Sequence, residues 1–179
     1  FATGSAIAKA EAINDGTEYH GVTAKPLPNV LTGGAGILGG TLDNTNNITI
    51  NGQVITGVVV NRDDAQDKLV RAINEVFDRT GVFASLNEDN QLVLRAEDGR
   101  NIEVVTQGNA AARLGIGTQV QTAQLNLSSE EQYLVEGANE AYVGFGVDQL
   151  VGVNQNESVV TVDIRSRQAA NDSIIKLDR

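Results

Sequence analysis

The apolar positions change their period several times along the chain, and each change predicts an element. Ala65, Leu69, Ala72, Ile73, Val76 and Phe77 recur at offsets 0, 4, 7, 8, 11 and 12, the spacing that gathers one face of a helix. Asp63 or Asp64 offers its N-cap and Gly81 its stop. Before it, Ile48-Thr49-Ile50 and Gln53-Val54-Ile55 flank Asn51-Gly52. Asn-Gly tolerates the two positive φ angles of a type I′ turn, so a hairpin is predicted. After the helix come three strand-like runs, 82–86, 91–96 and 101–106, separated by Asn87-Glu88-Asp89-Asn90 and by Asp98-Gly99. A short helix over 110–114 then ends at Gly115.

Nearer the start, residues 5–15 are Ala-rich and helix-favouring with Ser5 as N-cap, and 21–25 reads as a strand halted by Pro26 and Pro28. The glycine-rich stretch 33–40 leads into Asp43-Asn44-Thr45-Asn46-Asn47 and reads as a loop that marks a boundary. Far downstream, Ser166 caps a helical pattern of Ala170, Ile174 and Leu177 that reaches Arg179 without Gly, Asn or Pro to stop it. That helix is expected to be cut through, and with Phe1 in place of an initiator Met the chain is expected to be a fragment.

One stretch occurs twice. Ala12-Ile13-Asn14 followed by Gly21-Val22-Thr23-Ala24 returns sixty positions later as Ala72-Ile73-Asn74 followed by Gly81-Val82-Phe83-Ala84. Six of thirteen aligned positions are identical, where unrelated segments share about one. The strands that follow the second copy find their counterparts only far below the first. Gln124-Leu125-Asn126-Leu127 resembles Gln91-Leu92-Val93-Leu94, and Gly137, Ala141, Val143, Gly144 and Phe145 align with Gly108, Ala112, Leu114, Gly115 and Ile116. The economical reading is nesting: a discontinuous outer unit, 1–43 with 118–154, holds a related unit, 44–117, inside it, and a strand and helix stub follow over 155–179. The expected class is α+β, two nested, mainly antiparallel β units each with a packed helix, followed by a truncated C-terminal helix stub.

Charge and composition narrow the function. The formal net charge of −10 argues against nucleic acid and anionic membranes, which need clustered Lys and Arg. With no Cys there is neither a disulfide framework nor a thiolate metal site, and no apolar run approaches the roughly 18 residues of a spanning helix. His20 is the only histidine and stands in a helix-to-strand turn, so catalysis by a Ser-His-Asp set is not expected. Gly34-Ala35-Gly36-Ile37-Leu38-Gly39 has the G-x-G-x-x-G spacing, but Thr41-Leu42-Asp43-Asn44 does not continue as the helix a dinucleotide fingerprint needs. Glu88-Asp89 and Glu130-Glu131 fall in turns, without the D-x-D-x-D-G pattern of a calcium loop. Asn47, Asn126, Asn156 and Asn171 meet the N-glycosylation spacing, as an Asn-rich chain often does. No catalytic, cofactor or metal residue is assigned.

The Ala-Ile-Asn helix with its Gly-Val-x-Ala strand, preceded in the second copy by the Ile-x-Ile-Asn-Gly hairpin, resembles the IN motif of bacterial flagellins and hook-associated proteins. The run Val160-Thr161-Val162-Asp163-Ile164-Arg165-Ser166 and its helical continuation resemble the entry to the carboxy-terminal core helix of flagellin. The resemblance implies a secreted, extracellular structural subunit of the motility filament, not an enzyme, with no cofactor. Its partners would be other flagellin subunits, with a host receptor or glycan as further candidates and no role for nucleic acid or membrane. The 1–43/118–154 unit would correspond to the family's second domain and 44–117 to its third, or the two together to a subdivided second domain. Ile164, Ala170, Ile174 and Leu177 would pack in the filament core. Without the rest of the terminal helices the fragment is expected to stay monomeric. A hook-associated junction or cap protein, and a glycan-binding or adhesin module on the same β-rich units, are the alternatives.

Overall fold

The computed structural model describes residues 4–135 and 149–151. Helix α1 (Ala6–Asn14) ends at the first motif's Asn, a single turn α2 (Thr17–His20) follows, and β1 (Val22–Pro26) leaves it. Next come β2 (Asn29–Gly36), β3 (Gly40–Leu42), the hairpin β4 (Ile48–Ile50) and β5 (Gln53–Ile55), and β6 (Val58–Val60). The second motif supplies α3 (Lys68–Asn74), the turn α4 (Phe77–Thr80) and β7 (Phe83–Leu86). Then follow β8 (Gln91–Ala96), β9 (Ile102–Thr106), α5 (Ala110–Leu114), β10 (Gln119–Gln121), β11 (Leu125–Ser129), β12 (Tyr133–Val135) and β13 (Gln149–Val151).

The described residues fall into two compact units, one from 4–12 together with 24–126, the other from 13–23 with 127–135 and 149–151. The larger unit extends on both sides of 44–117 to take in β2, β3 and β10. It carries three antiparallel sheets: β10-β9-β4-β5, β2-β8-β7 and β3-β6. Alternation along β8 is typical of a one-sided sheet: Leu92, Leu94 and Ala96 point inward and are fully buried, while Arg95 points out. They meet Ile48, Ile50, Leu69, Ile73, Val82, Ala84, Ile102, Val104 and Leu114 in one hydrophobic core. The smaller unit contains α2 and the antiparallel pair β12–β13. Strand β1 pairs with β11. The arrangement is an α+β mixture of small antiparallel sheets and short helices.

Two expectations change in physical detail. The stretch 33–40 is not a loop over its first half, because β2 runs through Gly33, Gly34 and Gly36. Close backbone approach accounts for the glycines: a Cβ on Gly33 would sit 3.0 Å from the Gly115 carbonyl oxygen, and one on Gly36 3.1 Å from that of Asp89. The helix expected from Asp63 or Asp64 through Phe77 is interrupted. Arg62–Asp64 form a 3₁₀ turn, α3 starts only at Lys68, and Val76 leaves the helical region at φ −104°, ψ 14° before α4. Leu69 and Ile73 are buried as expected, whereas Ala65 and Phe77 are exposed. The expected elements over 155–179 lie outside the described residues.

Candidate functional site

Among the described residues, several polar side chains gather where the two motifs turn from helix to strand, and they bond to backbone. Asn74, last residue of α3, lays its side-chain amide against Ala84 of β7: the Ala84 N–H donates to Oδ1 at 2.7 Å and Nδ2 donates to the Ala84 carbonyl at 3.1 Å. One side chain thus supplies both hydrogen bonds that a neighbouring strand would give a fully buried residue. Ile73 beside it points into the core with no exposure. The Ile-Asn pair therefore couples packing and hydrogen bonding at one place.

The turn that follows is built alike in both copies. Gly21 and Gly81 cap the short helices in the left-handed region, at φ 68° and 65°, and their N–H groups donate to the carbonyls of Thr17 and Phe77 at 2.8 and 2.7 Å. The residue before each glycine then caps the strand. Thr80 Oγ1 accepts from the Val82 N–H at 3.2 Å, and His20 Nδ1 accepts from the Val22 N–H at 3.1 Å. An imidazole in one copy does the work of a hydroxyl in the other. This gives the lone histidine a structural employment consistent with its position in the sequence.

Asn51, first residue of the hairpin turn at φ 46°, joins three elements. Its Nδ2 donates to the carbonyls of Thr80 and Asn101 at 2.9 and 3.1 Å, and its Oδ1 accepts from the Glu103 N–H at 2.8 Å. Asp64, almost completely buried, turns its carboxylate to the N–H groups of Leu69 and Val70 at 3.0–3.1 Å, so it caps α3 from five residues upstream. Neither composition nor periodicity marks the side-chain amides of Asn51 and Asn74 as bonding groups. The signal for Asn74 was present, since Asn is one of the six positions the two copies share.

The glycine-rich stretch and Asp43 are equally committed. Within Gly34–Gly39 the N–H groups of Gly34 and Ala35 donate to the Gly115 carbonyl at 2.8 and 3.3 Å, those of Leu38 and Gly39 to the Arg113 carbonyl at 2.9 and 3.2 Å, and Ile37 N–H to Asn90 at 3.1 Å. A phosphate cradle needs those donors free. Asp43 draws in Thr45 and Asn46 through Oδ1, at 2.7 Å to the Thr45 hydroxyl and 2.8 Å to each N–H, and these bonds lower its pKa to about 2. Bonding to Arg100 likewise holds Asp98 below the usual carboxylate range. No group of three metal-ligating side chains occurs among the described residues, and no helix among them is long and apolar enough to cross a membrane. Ile164, Ala170, Ile174 and Leu177 lie outside the described residues.

Residues 47–98, from just before the hairpin to just beyond β8, match the family described as Flagellin hook IN motif. Over 150 residues the chain is 35% identical to Flagellin B of Helicobacter pylori, covering 77% of this chain and 28% of that protein. The chain belongs to the bacterial flagellins. It is also 32% identical to Flagellin A of Helicobacter mustelae over 153 residues, 85% of this chain and 29% of that one. With Flagellin A of Helicobacter pylori the identity is 28% over 189 residues, 90% of this chain and 36% of that flagellin. The chain therefore spans about three-tenths of the length of the curated flagellins it matches.

Proposed function

We propose that this chain is the outward-projecting middle of a flagellar filament subunit, extracellular, structural and without catalytic chemistry. The observation that carries the reading is the motif itself: its polar side chains, Asn51, Asp64, Asn74 and Thr80, all satisfy backbone groups of the same unit. Such a site holds a shape and leaves nothing aimed at a substrate. In this reading 44–117 is a spacer inserted into an outer unit formed by 1–43 and 118–154. Ile164, Ala170, Ile174 and Leu177 belong to a helix of the filament core, and the partners in assembly are other copies of the subunit. By itself the chain is monomeric, a state that sedimentation measures. Relatives named as flagellins favour a filament subunit over a hook-associated junction or cap protein.

The lack of Cys provides the test. Val59→Cys, at a side chain 54% exposed, is introduced into the full-length subunit in a background with no other Cys, and intact filaments are treated with a bulky maleimide. Equal labelling in filaments and in free subunits is expected. Protection confined to filaments would place this unit in the wall and overturn the proposal.

A further inference from the structure

The two motif copies end their short helices alike but differ in what covers the end. In the downstream copy the Arg100 guanidinium lies over Gly81, where a Cβ would collide with it. Its Nη1 donates to the Thr80 carbonyl at 3.2 Å, while Nε and Nη2 reach the Asp98 carboxylate at 2.8 and 2.7 Å. Arg100 comes from the connection 97–101 that follows β8, the partner strand of β7. In the upstream copy the partner strand of β1 is β11. The matching cross-strand positions, Phe83 opposite Arg95 in one copy, are held in the other by Thr23 and Ser128, with hydroxyl oxygens 2.7 Å apart. The connection after β11 is only Glu130-Glu131-Gln132. It is shorter and contains no cation.

What stands over Gly21 is an open hollow of about 770 Å³, lined among others by Thr17, Tyr19, His20, Ser129, Glu130 and Glu131. The nearest atom to a Cβ on Gly21 is Ser129 Oγ, at 3.8 Å. We infer that this hollow is a receptor for an arginine side chain supplied by a partner protein. The intramolecular contact of the other copy is its template. The carbonyl corresponding to Thr80 is that of His20, and Glu130 and Glu131 bring the negative charge that Asp98 brings to Arg100. A planar guanidinium bonds a carbonyl and a carboxylate together, which an ammonium does less well. Tyr19, 91% exposed, adds an aromatic face on which guanidinium stacks. The inference rests on the comparison of the two copies and not on the filament reading.

The test titrates the isotopically labelled chain with the capped tripeptide Gly-Arg-Gly, and in parallel with Gly-Lys-Gly, while amide shifts are followed by NMR. The arginine peptide is expected to give saturable shifts at Gly21, Val22, Ser129 and Glu130, with the lysine peptide weaker and the amides around Gly81 unmoved because Arg100 already fills that place. In the double variant Glu130→Gln/Glu131→Gln the shifts should be lost while the Thr23 and Ser128 amides keep their positions. Equal responses to the two peptides, shifts spread over both copies, or no saturable shift at Gly21 would each overturn the inference.

Discussion

Replacing Asn74 by Ala removes a side chain that satisfies two backbone groups of one buried residue. Ala84 has no exposure, so neither its N–H nor its carbonyl gains water when the 2.7 and 3.1 Å bonds disappear. A buried donor or acceptor left unpaired costs about 1–3 kcal/mol, and two on the same residue, with some relaxation, cost about 2–4 kcal/mol. For a unit of this size that is a fall in melting temperature of about 10 °C or more. Asn74→Asp separates the two bonds: it keeps the acceptor for the Ala84 N–H but turns the donor into an oxygen facing a carbonyl. The new carboxyl is then held protonated, with a folded-state pKa above its unfolded value. Its deficit should be smallest at low pH, where the protonated form donates, and should grow as pH rises through the raised pKa. Thermal unfolding by circular dichroism measures both variants, with Glu75→Ala, at the exposed neighbour, as control. A loss for Asn74→Ala under ~0.5 kcal/mol, the range of an ordinary surface substitution, would refute the strand-surrogate role.

Asn51→Ala should cost about 2–3 kcal/mol in the same assay, since it takes a partner from the Asn101 carbonyl and the Glu103 N–H and leaves the Thr80 carbonyl only Arg100. Gly21→Ala and Gly81→Ala each put a side chain in the left-handed region, a cost of about 1–2 kcal/mol. Gly81→Ala must also displace Arg100, so it should unfold at the lower temperature of the two, and the reverse order would contradict the difference between the copies. Asp43, whose folded pKa is lowered to about 2, should keep the 43–46 turn closed as pH falls through the unfolded-state value near 3.8 and release it only around pH 2. NMR shifts of the Thr45 and Asn46 amides report that midpoint, and a midpoint near 4 would contradict the hydrogen-bond geometry.

Local rules read the second motif well. Asn51-Gly52 announced its hairpin, Gly81 and Gly115 their helix ends, and the alternation over 91–96 its strand. The misreadings arise where tertiary contacts override composition. β2 reads as a loop because its glycines signal flexibility, yet they are there for the α5 end and the β7–β8 turn to approach. The break at Val76 is invisible to helical periodicity, because α4 resumes the same spacing one turn later, and the pairing of β3 with β6 joins residues too short a run to announce a sheet. Asn74 was legible only through its recurrence. A polar residue repeated at a helix end, sixty positions apart, points to a bond the sequence does not otherwise display.

Electron cryomicroscopy of filaments formed by the full-length protein measures most directly where this segment lies in the assembled subunit. The β4–β5 hairpin, α3 and the β2-β8-β7 sheet should appear as a compact body outside the tubular wall, making no part of its helical packing. The same elements found within the wall, interlocked with neighbouring subunits, would contradict this placement.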